Sequence, residues 1–541
     1  MRQTSGFANL IGLLTAAAIT LGGFAGGELR LVFGADEEVR VPQESLPLNL
    51  RRQIETAEAS GRYHSRIETV RWDPKKTAIV VCDMWDRHWC KQGSERVRQL
   101  AGRMNEVIKA ARDRGVLIVH CPSGTMDFYQ ETLQRKLAQA APVVETKIPL
   151  ERWCHLDENR ESPLPIDDSD GGCDCEQPCQ RGRPWTRQIA AIEIEKGDVV
   201  TDNAEAYYTF EQHGIDNVIV MGVHTNMCVL GRPFSIRQMV RQGKNVVLMR
   251  DMTDTMYNPK SAPFVSHFTG NDLTVAHIER YWCPTITSAD FLGGKPFRFP
   301  ADKRPHLVIL SAEREYRTNE TLPKFALEQL GRDFRVSYVY ASEHDRNDLP
   351  GIDVLDEADV ALFSVRRRVL PDEQLSVIRR FVDSGKPVIG IRTANHAFVL
   401  RGREPPEGLA AWEAFDAEVI GGNYRGHHGN ELKTAVKLAP DAGDHPILAG
   451  VDVDGLRPNG SLYRVRPLVE SARALLVGSV AGKSEEPVAW TNSRKNGGRV
   501  FYTSLGASAD FDLSSFQHLL KNGIFWAAGL PTVARTLPNE R

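Results

Sequence analysis

Two residues in the first half of the chain have types and positions that suit acyl transfer. Asp83 directly follows an apolar run at 77–82, and Cys228 follows a second run and opens a predicted helix. A thiol at a helix N-terminus is close to the positive end of the helix dipole and to free backbone amides, so its pKa falls. The same amides can stabilise an oxyanion. Cys228 is therefore a candidate nucleophile, and Asp83 is a candidate reactive carboxylate at a second strand end.

Reactive residues of α/β proteins collect at the carboxyl ends of parallel strands, so the surrounding pattern must supply such strands. Apolar runs without the alternation of a half-exposed strand predict buried strands at 77–82, 116–121, 218–222 and 245–249. Apolar residues three and four apart predict amphipathic helices at 95–114 and 235–242. This alternation of strands and helices predicts a doubly wound sheet.

A second series of strands follows in the other half of the chain. The predicted strands are 306–310, 335–340, 360–365, 387–391 and 499–503, with helices such as 371–384 and 515–528. Because 541 residues exceed what one core usually supports, we expect two domains. The fold class is α/β: two doubly wound, Rossmann-like, three-layer domains with mainly parallel sheets, at 71–295 and 304–530.

The N-terminus has the pattern of a signal peptide. Arg2 precedes an apolar stretch at 10–24 that is short and rich in glycine for a membrane span. We therefore expect a signal peptide at 1–35, an extension at 36–70, and export to the periplasm or the medium. An uncleaved membrane anchor is the alternative; after processing, no stable membrane span is expected.

The charge balance excludes one class of partner. Lys and Arg number 67 against 70 Asp and Glu, for a formal net charge of −3, so no basic field can neutralise phosphates. Nucleic acid is therefore not expected as a partner. A small-molecule substrate is expected, and a homo-oligomer is left open.

Residues 75–292 resemble the isochorismatase-like cysteine hydrolases, which include nicotinamidases and N-carbamoyl amidases. Three segments carry the resemblance: the strand before Asp83, the Gly-x-x-Thr-x-x-Cys-Val element within 214–229, and the strand that ends in Arg-Asp-Met-Thr-Asp at 250–254. The resemblance implies a hydrolase that cleaves a C–N bond of a small molecule.

The resemblance also implies the roles of individual residues. Asp83 takes the thiol proton and later protonates the leaving amine, while Cys228 attacks the carbonyl to form a thioester. The backbone amides of His224 and Cys228 stabilise the oxyanion, with Thr225 as a positioning residue of the same element. The peptide between Val223 and His224 is expected to be cis.

The catalytic lysine of the family has no counterpart at its usual place, where Asp202 or Asn203 stands. A carboxylate and a thiolate in one pocket need a nearby cation, because like charges raise each other's pKa. Lys196 precedes its strand and is expected at the opposite edge of the sheet. Lys147, beside a long insertion, is therefore predicted to supply the charge. The alternative is a non-catalytic carbohydrate-binding or scaffold protein with a degenerate hydrolase domain.

Other side chains near Asp83 suit a pocket better than a metal centre. Trp85, His88 and Trp89 are predicted to line the pocket mouth, since these rings combine apolar contact with a polar handle. The Asp-x-His metal pair of nicotinamidases is missing after the second strand, where only His120 is roughly in place. No cofactor is assigned, and a divalent metal is left open.

The chain has nine cysteines, and three of them crowd one loop of an insertion near 150–187. With Cys154, the thiols of Cys173, Cys175 and Cys179 could form two disulfides or a four-thiolate zinc site. The C-x-C-x3-C spacing matches no standard zinc pattern, and export permits disulfides. Disulfides are therefore the prediction.

Residues 304–529 resemble the ThuA family, which is named for trehalose utilisation and has the class I glutamine amidotransferase fold. The segments that carry the resemblance are 381–391, 421–428, 445–450, 498–506 and 524–529. Arg392 follows the strand where amidotransferases have their cysteine, and no cysteine occurs after Cys283, so thiol amidotransfer is excluded. The resemblance implies sugar-related binding, with Arg392, His396, His427 and His428 as candidate residues.

Overall fold

The structure, a computed structural model, describes residues 45–532. The predicted signal peptide at 1–35 lies outside this range. No helix within the described range combines the length and apolar character that a bilayer crossing requires.

The first half of the described chain forms an eight-stranded sheet in the order β2-β1-β8-β7-β6-β3-β4-β5. Its strands are β1 (Leu46–Glu55), β2 (Tyr63–Trp72), β3 (Thr77–Cys82), β4 (Leu117–Cys121), β5 (Val199–Val200), β6 (Asn217–Val223), β7 (Asn245–Asp254) and β8 (Thr285–Ile286). All neighbours from β8 to β5 are parallel.

The direction of strand addition reverses in the middle of this sheet. β4 and β5 are added on one side of β3, whereas β6, β7 and β8 are added on the other. In doubly wound folds, ligands bind outside the carboxyl ends of the strands at such a switch point. Cys82 pairs with Gly222 there, so the loops after β3 and β6 leave the sheet side by side.

Residues 46–72 belong to this sheet rather than to a separate extension. β1 and β2 form an antiparallel hairpin that joins β8 through the pairing of Arg51 with Thr285. The predicted extension at 36–70 is corrected in this respect. Its many charged residues obscured the strands, because an edge hairpin exposes one face to water.

Helices cover both faces of the parallel strands. They are α1 (Lys91–Arg112), α2 (Met126–Tyr129), α3 (Leu133–Ala140), α4 (Glu205–Gln212), α5 (Cys228–Gly231), α6 (Ile236–Arg241), α7 (His267–Tyr281) and α8 (Ala289–Leu292). On α1 the buried residues recur three and four apart, for example Val97, Leu100, Ala101 and Met104, and they pack with β3 in one core.

The long insertion between α3 and β5 contains no helix or strand and is held by a buried carboxylate. Glu161 accepts two hydrogen bonds from Arg237 at 2.8 and 2.9 Å, one from Trp282 at 2.8 Å, and pairs with His277 at 2.8 Å. Burial alone would raise the pKa of Glu161, but His277, Arg237 and Trp282 together lower it to about 2.

This network predicts a loss of stability in acid. The Glu161 carboxyl ionises near 4.5 ordinarily and at about 2 here, so its contribution is fully present above pH 4.5 and is lost as the pH falls through about 2. Glu161→Gln is expected to lower the free energy of unfolding by about 3 kcal/mol at pH 7 and by less than half of that at pH 3. Urea unfolding at both pH values measures the effect, and an equal difference at the two values would contradict it.

The second half forms another eight-stranded sheet, in the order β10-β9-β11-β13-β18-β17-β16-β15. Its strands are β9 (His306–Ala312), β10 (Arg335–Tyr340), β11 (Val360–Val365), β13 (Val388–Ile391), β15 (Ala435–Leu438), β16 (Ala472–Ser479), β17 (Glu486–Ser493) and β18 (Arg499–Thr503). The strands from β10 to β18 are parallel and the last three pairings are antiparallel.

Short strands β12 (Leu370–Pro371) and β14 (Leu409–Ala410) pair outside this sheet. The helices are α9 (Thr318–Phe325), α10 (Asp372–Asp383) and α11 (Ser514–Ala527), and between α8 and β9 the chain has neither helix nor strand. Apolar clusters lie on both faces of the sheet. Two α/β Rossmann-like domains are therefore present, which confirms the predicted fold class.

Candidate active site

The switch point of the first sheet brings Asp83 and Cys228 together. Asp83 directly follows β3, and Cys228 is the first residue of α5, five residues after the end of β6. Gly222 allows the two strands to approach closely, since a Cβ at this position would lie 2.0 Å from the carbonyl oxygen of Cys82. Asp83 has no exposed surface and Cys228 is 8% exposed.

Asp83 contacts groups from three elements. The backbone N–H of Ser123, after β4, donates to Oδ1 at 2.7 Å. Arg232 Nε, after α5, donates to Oδ2 at 3.2 Å. The Cys228 thiol is hydrogen-bonded to the same carboxylate. Carboxylate, thiol and guanidinium therefore form one contact cluster.

The cation beside Asp83 is Arg232, and the prediction of Lys147 is wrong. Lys147 Nζ lies against Gly243, where a Cβ would be 2.5 Å from it. Gly243 precedes β7, at the amino-terminal edge of the parallel strands, whereas Asp83 is at their carboxyl edge. The insertion therefore carries Lys147 along the side of the sheet rather than over the strand ends.

Arg232 makes two further contacts, with Cys228 and Trp153. Its guanidinium hydrogen-bonds to the Cys228 side chain and lies 5.4 Å from the ring centre of Trp153. Its side chain remains 27% exposed, so it borders the entrance as well as the buried carboxylate. Arg232 stands four residues after Cys228, the spacing that places two side chains on one face of a helical turn. This spacing of four residues is the feature of the sequence that could have identified Arg232 as a neighbour of Cys228.

The pKa of the Cys228 thiol is raised, contrary to the prediction from its helix position. Burial is the main cause, and the Asp83 carboxylate adds to it, while Arg232 opposes both. α5 has only four residues, so its dipole is small. Burial also raises the pKa of Asp83, although the charge of Arg232 and hydrogen bonds with Cys228 and Ser123 lower it in part. Burial therefore favours the uncharged thiol of Cys228 over the thiolate.

The element between β6 and α5 has the geometry implied by the family resemblance. The peptide between Val223 and His224 is cis. The amides of His224 and Cys228 donate no hydrogen bond to another described residue, so they are free to bind an oxyanion. Thr225 fixes the loop through its Oγ1, 2.7 Å from Thr253 Oγ1, and its N–H, which donates to Asp254 O at 2.8 Å.

Aromatic rings gather beside the cluster. Trp85 donates from Nε1 to Ser123 O at 3.0 Å, and Trp185 stacks on Trp85 with ring centres 4.4 Å apart. His88 lies 5.2 Å from the ring of Trp89 and 6.0 Å from that of Trp185. The predicted set Trp85, His88 and Trp89 is therefore brought together. Trp185, from the cysteine-rich insertion, is an addition that no local pattern indicated.

The two histidines at this wall are neutral. The ring of His224 lies 4.8 Å from that of His88. Burial lowers the pKa of His88 to about 4, and burial followed by the neighbouring His88 lowers that of His224 well below its usual range. Both ring nitrogens of the buried His224 lack a hydrogen-bond partner among the described residues.

His120, which the sequence analysis compared with a metal ligand, and Asp86, in the loop after β3, both have hydrogen-bond partners within the first domain. His120 Nδ1 lies 3.1 Å from Gln188 Oε1, and its Nε2 lies 3.1 Å from Asp198 Oδ2. Asp86 accepts hydrogen bonds from the N–H and hydroxyl of Thr186 at 2.9 and 2.7 Å. His120 therefore braces the sheet, and Asp86 ties the insertion to the loop after β3.

In the second domain, Arg392 occupies the turn after β13. It has a positive φ of 46° and lies between the rings of Tyr316 and Tyr463, whose centres are 4.7 and 4.3 Å from the guanidinium. His396 stacks near Tyr424 at 4.2 Å. His396 is thus buried beside the Arg392 turn.

The other two candidate residues of the second domain, His427 and His428, make different contacts. His427 is exposed, and its Nδ1 lies 2.7 Å from the carbonyl oxygen of His428. In the described part of the chain, no hydrogen bond or ring contact joins the side chains of these two histidines to Arg392 or His396.

Several known proteins each resemble part of this chain. Three solved structures are a ThuA-like protein from Bacteroides uniformis, a cysteine hydrolase from Pseudomonas syringae pv. phaseolicola and an isochorismatase family protein from Burkholderia thailandensis. They are 15%, 17% and 15% identical over 43%, 41% and 40% of this chain, with TM-scores of 0.33, 0.27 and 0.23. The matches cover 95%, 93% and 93% of those chains.

A comparison with curated proteins yields no match. The ThuA family model, described as trehalose utilisation, matches residues 306–527. This range begins with β9 and ends with α11, so it spans the second domain. Residues 306–527 therefore match the ThuA family, as the sequence predicted for this part of the chain.

Proposed function

We propose that the first domain is a cysteine hydrolase that cleaves a C–N bond of a small amide or carbamoyl compound. The observation that carries this proposal is the contact cluster of the Cys228 thiol, the Asp83 carboxylate and the Arg232 guanidinium at the switch point. A nucleophile, its base and a cation in mutual contact are the parts that acyl transfer requires.

The first step transfers one proton and forms one bond. As Cys228 Sγ attacks the carbonyl carbon, its proton moves to Asp83, to which the thiol is already hydrogen-bonded. The raised pKa of Asp83 makes this carboxylate a stronger base than an exposed one. The carbonyl oxygen becomes an oxyanion, for which the unpaired amides of His224 and Cys228 are the donors at hand.

The second step releases the amine and then the acid. The tetrahedral intermediate breaks its C–N bond, and the leaving nitrogen takes the proton from Asp83. A water molecule then gives a proton to Asp83 and attacks the thioester carbon, and Cys228 leaves as a thiol when that proton returns. Arg232 keeps the cluster from holding two uncompensated negative charges at any stage.

The low exposure of Cys228 and the surrounding rings favour a small substrate with a planar neutral part. His88 and His224 are neutral, so they can donate to or accept from such a group without a charge. We place no phosphate or other strong anion in this pocket, since the cation that borders it is already paired with Asp83.

A panel of primary amides, N-carbamoyl compounds and sugar-linked amides tests the proposal. Ammonia release is measured by a coupled assay, and acid-quenched protein is weighed by mass spectrometry for an acyl adduct on Cys228. Turnover with a trapped thioester is the expected result. Amine release without any adduct on Cys228 would contradict the covalent mechanism.

Arg232→Met is predicted to lower kcat/KM by about 100-fold, because the cation that compensates Asp83 and the forming thiolate is removed. Arg232→Lys is expected to recover part of this loss, since a charge returns without the guanidinium geometry. Lys147→Met is the matched control and is expected to retain wild-type kinetics. Steady-state rates on the best substrate of the panel measure these effects. A larger loss of kcat/KM in Lys147→Met than in Arg232→Met would contradict the assignment of Arg232 as the compensating cation.

A second candidate function is a non-catalytic carbohydrate-binding or scaffold protein. The observations that favour it are the raised pKa of Cys228 and the absence of a lysine after β5, where Asp202 accepts a hydrogen bond from Gly124 N at 3.0 Å. Binding of sugars by the full chain, with no turnover across the panel, would support this candidate over the hydrolase.

We further propose that the second domain binds a sugar-related compound and that the chain is exported. Arg392 lies between two tyrosine rings, and its Nε has no hydrogen-bond partner among the described residues, so this turn offers aromatic faces and one donor to a polyol. Calorimetric titration with trehalose and related sugars tests binding. The mass of the mature N-terminus after secretion tests export.

A further inference from the structure

Four cysteine side chains outside the candidate active site converge on one point. Cys90 Sγ lies 3.8 Å from Cys175 Sγ, and Cys179 Sγ lies 3.5 Å from Cys175 Sγ. The Cys173 thiol is hydrogen-bonded to those of Cys90, Cys175 and Cys179. The sulfurs of Cys90, Cys173 and Cys175 therefore form a compact group, and Cys179 joins this group through Cys175.

We propose that Cys90, Cys173, Cys175 and Cys179 bind one Zn²⁺ ion in a tetrahedral structural site. The ligand atoms of Cys90, Cys173 and Cys175 all lie within 4.8 Å of one another, as a shared metal requires. Zn²⁺ prefers four thiolates in a closed site, and binding releases the thiol protons to solvent.

The two sulfur separations that involve Cys175 match the edges of a zinc tetrahedron. Zinc–sulfur bonds of about 2.3 Å give tetrahedron edges of about 3.8 Å. The separations of 3.5 and 3.8 Å are close to such edges and are well beyond a covalent sulfur–sulfur bond. All nine cysteines of the chain are free thiols in the structure.

Backbone amides are directed at three of the four sulfurs. The N–H of Gly93 donates to Cys90 Sγ at 3.5 Å, and Cys90 caps the 22-residue helix α1, whose positive end favours negative charge. Backbone amides of Cys175 and Cys179 are directed at Cys173, and that of Lys91 at Cys179. Amides that donate to metal-bound sulfurs are a common part of the shell around such sites.

This site replaces the grouping predicted from the sequence. Cys154 is not part of it, because its Sγ donates to Gln238 Oε1 at 3.2 Å in another part of the insertion. The fourth ligand is Cys90, which precedes the loop by more than eighty residues in the sequence. No spacing rule could join it to the other three.

The position of the site indicates that bound zinc would stabilise the attachment of the insertion to the first domain. Asp174, between two of the ligands, pairs with Arg96 at 2.7 Å, and Arg96 pairs with Asp254 at the end of β7 at 2.7 Å. Zinc would therefore fasten the insertion to α1 and to the strand ends that hold the active site. Trp89 precedes one ligand directly, so the pocket wall is attached to the same point.

Metal analysis of the full chain, purified without chelator, tests this proposal. Native mass spectrometry and elemental analysis are expected to show about one zinc per chain. Cys179→Ser is expected to lose most of this zinc, and because Cys179 is only half-buried, the change has a small risk of misfolding. Cys90→Ser is expected to do the same, while Cys154→Ser is the matched control and should keep it.

Peptide mapping under non-reducing conditions tests whether the four cysteines are free thiols or form disulfides. Alkylation after zinc removal should label all four cysteines without prior reduction. A disulfide among the four, iron in place of zinc, or zinc unchanged in both ligand variants would each overturn the proposal. These readouts do not depend on enzyme activity, so they stand whatever the substrate panel shows.

Discussion

Cys228→Ala is expected to abolish hydrolysis, with a loss of at least about 10⁴-fold in kcat, because no other group can form the thioester. The change removes only one sulfur from a buried position and is expected to cost about 1 kcal/mol of stability. Initial rates on the best substrate of the panel measure the first effect, and thermal unfolding measures the second.

A matched control separates the nucleophile from a merely buried thiol. Cys154 is also buried and hydrogen-bonded, but it lies outside the cluster. Cys154→Ala should therefore lose comparable stability and retain turnover. If Cys228→Ala kept ordinary turnover at wild-type stability, the assignment of Cys228 would fail.

Asp83→Asn is expected to lower kcat by about 10³-fold or more, because the amide keeps the shape of the carboxylate but cannot accept the thiol proton. The amide oxygen can still accept from Ser123 N, so the loop after β4 should stay in place. Acid-quench mass spectrometry is expected to show little acyl enzyme. Crystallography or circular dichroism checks that the fold is retained.

Asp86→Asn is the matched control for this change. Asp86 lies three residues further along the same loop and accepts from Thr186 rather than from the cluster. We expect near-normal rates for this variant. Equal losses in both variants would mean that the loop after β3 acts through its shape and that Asp83 is not the base.

Much of the architecture could be predicted from local pattern. The strands predicted at 77–82, 335–340, 360–365 and 499–503 have the same bounds as β3, β10, β11 and β18. β3, β11 and β18 are short, largely buried runs, whereas β10 is a half-buried edge strand that its β-branched and aromatic residues indicate. These signals depend only on neighbours in the chain. Asp83 and Cys228 could be paired for the same reason, since strand ends define where side chains meet in a parallel sheet.

The edge hairpin was missed because its signal is weaker. β1 and β2 combine alternating apolar residues with many charges, as in the run from Arg51 to Glu55. One face of such a strand is in water, so its composition is a weak signal. The position of the hairpin in the sheet depends on the pairing of β1 with β8, which joins distant segments of the chain.

The sequence by itself determined the two α/β domains and the placement of Asp83 and Cys228 at neighbouring strand ends, because these follow from runs of adjacent residues. The tertiary structure decided which cation compensates Asp83: Arg232 rather than Lys147, since only the course of the insertion shows which edge of the sheet a lysine reaches. It also brought Cys90 to the three clustered thiols and Trp185 to Trp85. Such contacts join distant segments, and their energy depends on how the whole chain packs rather than on any local spacing.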